Sequence, residues 1–176
     1  MSIRPDMEYR ELFYPSPIGE LRLVSCGSFL AAAAFPDGRY QPDWDRLNLV
    51  RDSCPVLEES AVWLDRYFSG ENPGACPPLS PLDQAATPFR RVIWSLLQDI
   101  PYGTVTSYGV LAEKASLRLG VSRMSAQAVG GAVGHNPIAI FIPCHRVVGR
   151  DGSLTGYAGG LSRKQFLLNL EKSSVK

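Results

Sequence analysis

Between Gly70 and Ala86 the chain carries Pro73, Pro77, Pro78 and Pro81, a density that regular structure does not tolerate. An extended connection is expected there, and it divides the 176 residues into two parts. The charge changes sign across it. Residues 1–86 hold seven arginines and no lysine against thirteen acids, a net −6. Residues 87–176 hold eleven basic residues against four acids, a net +7. The total of +1 hides this split. A basic half suits a polyanionic partner, and two oppositely charged halves also attract each other.

The pattern before the break is that of a small antiparallel sheet with one helix. Glu8 to Tyr14 alternates loosely and meets a turn at Pro15-Ser16-Pro17. Glu20 to Ser25 and Phe29 to Phe35 read as strands joined around Cys26-Gly27-Ser28. Pro55 to Phe68 reads as a helix with Leu57, Ala61, Leu64 and Phe68 on one face.

The second part opens with Thr87 as an N-cap and Pro88 in the first turn of a helix buried through Phe89, Val92, Ile93, Leu96 and Leu97. Ser107 caps a short helix from Tyr108 to about Lys114, and Ser116 to Met124 is expected to be a loop. Ser125 caps a second helix to about Gly134, so the pair has the outline of a helix-turn-helix. A last helix runs from about Ser162, with Leu161, Phe166, Leu167 and Leu170 as its apolar face.

The helix after Ser125 is nearly bald, with Ala126, Ala128, Gly130, Gly131, Ala132 and Gly134. Interior glycine costs about 1 kcal/mol relative to alanine, so some close approach must offset it. Tight helix packing is one explanation. Entry into a DNA minor groove about 6 Å wide is the other.

Nothing in the chain is long and apolar enough to span a bilayer. Met1 to Asp6 has no signal-peptide pattern, and Cys26, Cys54, Cys76 and Cys144 show no paired spacing. Reduced thiols in a cytoplasmic protein are expected, with no metal and no cofactor. Cys144 stands out because His145 and Arg146 follow it at once, and the thiolate is the reactive form of cysteine. Consecutive side chains do not face each other, so a water bridge between Cys144 and His145 is easier than direct contact. A cysteine–histidine hydrolase would bring these residues from distant positions, which argues against that chemistry.

Ile142-Pro143-Cys144-His145-Arg146-Val147-Val148 continues upstream into Ala128-Val129-Gly130-Gly131-Ala132 and Asn136-Pro137. Downstream it continues into Gly156-Tyr157-Ala158-Gly159-Gly160-Leu161 and Leu167 to Glu171. In this the chain resembles the O6-alkylguanine-DNA alkyltransferases, densely from about Thr87 to Glu171. The resemblance implies a supporting, ribonuclease-H-like α/β domain over 1–86. It implies a mainly α domain over 87–176 that binds double-stranded DNA in the minor groove as a monomer and flips out the damaged base.

It further implies that Glu171 orients His145, that His145 takes a proton through water, and that Cys144 accepts an alkyl group from O6-alkylguanine, with O4-alkylthymine as a further candidate. The resulting thioether makes each molecule act once. Tyr108 matches the tyrosine that donates a hydrogen bond to the departing guanine, and Asn136 the hinge asparagine. Tyr157, Ala158 and Gly159 match the loop over the base. Ser125, Ala126, Gln127 and Arg123 fall at the DNA-facing end of the recognition helix. The chain departs from the family in three places. Gln127, the main departure, stands in place of the arginine that fills the gap left by the flipped base, Ala158 stands where the family often has serine, and Ala139 stands where some members have proline, which suggests a more open alkyl pocket. Arg118 and Arg123 are candidates for phosphate contact. Relatives that bind alkylated DNA without transfer supply the alternative function.

Overall fold

The computed structural model describes residues 8–41, 43–80 and 86–174. Part of the proline-rich connection, 81–85, and the two chain ends lie outside the described residues. β1 (Tyr9–Ser16), β2 (Gly19–Cys26) and β3 (Phe29–Ala34) form an antiparallel meander. β1 therefore runs through Pro15 and Ser16, and the turn falls at Pro17-Ile18 instead. Pro15 is tolerated because β1 has only two residues of pairing on its other edge. That pairing is with β4 (Leu49–Val50), which runs parallel to β1, so the sheet is mixed rather than wholly antiparallel, in the order β3-β2-β1-β4. Two residues without alternation leave no pattern to read, which is why β4 went unpredicted.

α1 (Pro55–Phe68) packs over this sheet. Its buried residues are Val56, Leu57, Ser60, Trp63, Leu64 and Tyr67. The expected face was one position off centre, because Ala61 and Phe68 are only partly buried. After α1 the chain is extended as expected, yet it is pinned. Leu30 N donates to Pro78 O and Ser80 N to Leu30 O, so Leu79 bridges the free edge of β3.

α2 (Pro88–Gln98) begins at Thr87, whose hydroxyl accepts from Arg90 N. It buries Ile93, Trp94, Leu96 and Leu97, while Phe89 and Val92 are half-buried. Trp94 is the added member, and its Nε1 donates to Ala132 O at 2.9 Å. α3 (Tyr108–Leu119) is capped by Ser107 and runs five residues beyond Lys114. Gly120, left-handed at φ 66°, ends it, so the loop begins only at Val121. The extra turn was hidden because Leu117 is 82% exposed and offers no buried periodicity. α4 (Ala126–Gly134) starts at the Ser125 cap, as expected. It packs on α2 and α3 through Val129, Ala132 and Val133, completing the helix-turn-helix.

α5 (Leu161–Ser174) corrects the sequence reading most. Leu161 and Phe166 are exposed, and the buried line is Lys164, Leu167 and Glu171. That line has helical spacing, but two of its three members are charged, so hydrophobicity pointed to the wrong face. Buried residues of both halves, among them Leu23, Leu64, Leu97, Val129, Ile142 and Leu167, form one continuous core.

Candidate active site

The segment between α4 and α5 carries Cys144. Asn136 makes three hydrogen bonds here. Its Oδ1 accepts from Ile138 N at 3.1 Å, and its Nδ2 donates to Ile142 O at 2.7 Å and to Cys144 Sγ at 3.0 Å. The intervening turn is closed by Ile142 N donating to Ile138 O. It forces Ile140 to φ 72°, a left-handed conformation that costs a residue with a Cβ roughly 1–2 kcal/mol. Full burial of the Ile140 side chain opposes its release. Strain of this kind concentrates at functional sites, and nothing in the sequence signalled it.

Cys144 to Arg146 then form one 3-10 turn, followed by β6 (Val147–Val148). β6 pairs in parallel with β5 (Thr106–Ser107), which leads directly into Tyr108. This two-residue ladder is what brings Tyr108 beside the cysteine segment.

Cys144 is 5% exposed and His145 is fully buried. The His145 ring reaches Glu171 Oε1 through Nε2 at 2.7 Å. No side chain bonds its Nδ1, which is buried. A direct Cys144–His145 hydrogen bond is absent from the described contacts, in line with the expected geometry of adjacent residues. Glu171, 1% exposed, is a hub rather than an exposed acid. Its Oε1 accepts from His145, from Tyr67 OH at 2.7 Å and from Arg146 NH2 at 3.0 Å. Its Oε2 accepts from Arg146 Nε at 2.9 Å and from Gly103 N at 3.0 Å. Arg146 also donates to Ile100 O at 2.7 Å, so its place is structural.

The charges of this cluster follow from burial and pairing. Burial works to raise the Glu171 carboxyl, but the hydrogen bonds and charges of His145 and Arg146 outweigh it and hold the pKa at about 2. Burial pushes His145 below its ordinary value against the pull of Glu171, and Arg146 and Lys164 push the same way. Arg146 is thus the permanent counter-charge of Glu171, and the imidazole rests neutral. Burial also pushes the Cys144 thiol up, although Asn136 and Lys164 offset part of this. The resting pair is a thiol beside a neutral base.

Lys164 is fully buried on α5, and its ammonium donates to Val147 O at 2.6 Å, Thr155 O at 2.8 Å and Gly156 O at 3.3 Å. Burial lowers it to about 8. Tyr108 OH donates to the same Thr155 O at 3.0 Å, so it must exchange this partner before it can serve a ligand.

A cavity of about 390 Å³ opens beside these residues. Tyr108, Ala126, Gln127, Tyr157 and Ala158 line it, as do Gly130, Gly134, Thr155 and Gly156. Arg39 and Tyr40 close it from the N-terminal part, with Tyr40 stacked on His135 at 4.0 Å between ring centroids. Gly159 lies outside the lining, and a Cβ there would come within 2.7 Å of the Tyr157 ring and 2.9 Å of Phe35. Ala139 lies outside it too, half-buried, with its N–H bonded to Ala33 O. Arg123 and Ser125 line a neighbouring groove along α3. Arg118 sits on α3, not in a loop, and is engaged by Asp99 and Ser95. The bald helix has two uses. A Cβ on Gly130 or Gly134 would touch Tyr108 or Tyr40, whereas one on Gly131 would meet nothing.

Sequence reasoning missed Tyr67, Lys164, Arg39 and Tyr40. Tyr67 had a signal, since Val56, Ser60, Trp63 and Tyr67 form a stripe beside that of Leu57, Ala61, Leu64 and Phe68. Arg39 and Tyr40 sit in an irregular turn and had none.

A buried cysteine with a neutral imidazole, a carboxylate behind it and a helix-turn-helix alongside is an arrangement suited to a DNA-binding protein that uses a cysteine. Family models specify it further. The 6-O-methylguanine DNA methyltransferase DNA-binding domain matches residues 88–173, and the ribonuclease-like domain of the same family matches 9–74. The chain belongs to the 6-O-methylguanine DNA methyltransferase family.

It is 42% identical to the methylated-DNA–protein-cysteine methyltransferase of Haemophilus influenzae, over 91% of this chain and 84% of that one. It is 43% identical to the Mycobacterium tuberculosis protein of that name, over 90% and 89%. The crystal structure of M. tuberculosis O6-methylguanine methyltransferase superposes with a TM-score of 0.78 at 39% identity, covering 96% of this chain and 94% of that one. That of M. tuberculosis OGT in complex with DNA gives 0.79 at 38% identity, covering 95% and 94%.

Proposed function

We propose that this chain repairs DNA by moving the alkyl group of O6-alkylguanine onto Cys144, in a single turnover. The observation that supports this is the buried His145–Glu171 hydrogen bond directly behind the sulfur-bearing residue. A neutral His145, held through Nε2 by an ionised Glu171, leaves Nδ1 as the open base. The Cys144 proton passes through a bridging water to Nδ1. The thiolate attacks the alkyl carbon, a C–S bond forms and the C–O bond breaks. The electron pair of that bond goes to the guanine oxygen and ring, toward which Tyr108 donates a hydrogen bond, and the guanine anion takes up through water the proton that His145 received. Asn136 Nδ2 stabilises the thiolate as it forms. A thioether resists hydrolysis, so no second cycle follows.

The division of labour is that of the sequence: residues 87–176 bind the duplex and accept the alkyl group, and 1–86 support them. The Gly131 face of α4 enters the minor groove, Gln127 occupies the gap left by the flipped base, and Tyr157 and Ala158 cover the base in the 390 Å³ cavity. One copy acts per lesion, in the cytoplasm. Among the described residues no helix is long and apolar enough to cross a membrane.

Cys144→Ala tests the reading. The variant is expected to bind a duplex containing O6-methylguanine with unchanged affinity and to leave the methyl group on the DNA. Continued transfer by the variant would reject Cys144 as the acceptor.

A further inference from the structure

Tyr67 lies at the far end of α1, in the part of the chain read as support, yet its hydroxyl meets the proton path. It donates to Glu171 Oε1 at 2.7 Å and lies 3.3 Å from His145 Nε2. The side chain is fully buried, its ring crosses those of Tyr102 and His145 edge to face, and the ring of Trp63 stacks on it. The phenol is held protonated, because burial, then the charge and hydrogen bond of Glu171, push its pKa well above the ordinary value. It is therefore a fixed donor.

Glu171 Oε1 has to serve three donors at once: His145, Tyr67 and Arg146. Each donor to a carboxylate stabilises its charge and reduces its pull on the others. We propose that Tyr67 is a positioning residue for proton transfer: by sharing Glu171 Oε1 with His145 it keeps the imidazole neutral, with the proton on Nε2 and Nδ1 open toward Cys144. This rests on the assignment of His145 as the base for Cys144.

The other charged and titratable groups facing His145 act in known directions. Glu171, from α5, favours the imidazolium, whereas Lys164, also from α5, and Arg146, from its own turn, oppose it. Tyr102, from the loop after α2, meets Tyr67 rather than His145. Cys144, on the same turn, is the group whose proton moves. Tyr67 is uncharged, so its hydroxyl can be removed without altering the charge count around Glu171.

The test is Tyr67→Phe, which keeps the ring and deletes the donor. Methyl transfer from an O6-methylguanine duplex would be followed with protein in excess and saturating, from pH 5.5 to 9. The His145 ring nitrogens would be titrated by NMR over the same range. Without the Tyr67 donor, Glu171 pulls harder on the imidazolium. The His145 titration and the midpoint of the acid limb are then expected to rise together by about one pH unit, a tenfold change in the proton equilibrium. Unaltered midpoints would overturn the proposal, whether the rate is unchanged or falls equally at every pH. So would a downward shift. Should Tyr67→Phe fail to fold, the wild-type spectrum decides alone. A neutral ring protonated on Nε2 at pH 7 supports the proposal, and a ring protonated on Nδ1 or an imidazolium overturns it. Absence of any transfer by the wild-type protein would instead remove the function proposed above, and the NMR titration would still report on Tyr67.

Discussion

Glu171→Gln is the substitution whose cost can be worked from the structure in two ways. The carboxylate is buried among five hydrogen bonds, two of them from Arg146. Its pKa falls from 4.5 to about 2, which at roughly 1.4 kcal/mol per unit contributes about 3 kcal/mol of stability at neutral pH. Independently, removing one partner of a buried ion pair costs about 3–5 kcal/mol, because Arg146 is left without a counter-charge. The two estimates meet near 3 kcal/mol, equivalent to roughly 6–12 °C in Tm for a chain of this size.

The sign follows from the depressed pKa. The contribution is fully present above the unfolded value near 4.5 and is lost as pH falls toward the folded value of about 2. Urea unfolding of wild type and variant at pH 7 and pH 3 provides the assay. The account predicts a gap of about 3 kcal/mol at pH 7 that shrinks by roughly half at pH 3. A gap below about 1 kcal/mol at pH 7 would place Glu171 among exposed, weakly coupled acids. A gap of the same size at both pH values would refute the ionised hub.

Three further outcomes follow from the surface of the helix-turn-helix. Gly131→Leu places a side chain in open space, so thermal stability should hold or rise while duplex affinity falls; unchanged affinity would remove α4 from the minor groove. Duplex binding should weaken steeply with salt, as log K against log[salt], and a flat response would remove the phosphate contacts of the basic half. Gln127→Arg should tighten duplex binding and steepen that slope by about one unit, and an unaltered slope would place Gln127 away from the DNA.

The elements were legible where apolar periodicity or capping chemistry was strong. Thr87, Ser107 and Ser125 marked three helix starts correctly because a hydroxyl at an N-cap has a specific local task. β4 and the β5–β6 ladder were not legible, since two-residue strands carry no period, yet that ladder sets Tyr108 beside Cys144. The active-site cluster was visible as residue identities and invisible as an environment. Glu171 and Lys164 look like solvent-facing charges in the sequence, and only the partners brought by the fold explain their burial. Tyr67 and Tyr40 lie outside the stretch of dense resemblance, so their places beside the site emerged only from the shared core and the shared cavity.

The most direct test of the alkyl acceptor is the intact mass of the protein after incubation with a duplex carrying O6-methylguanine, followed by peptide mapping. One added methyl, located on Cys144 and stopping at one equivalent per protein, is the predicted result. A folded protein that binds the lesion and gains no mass, or gains it on another residue, would contradict the account.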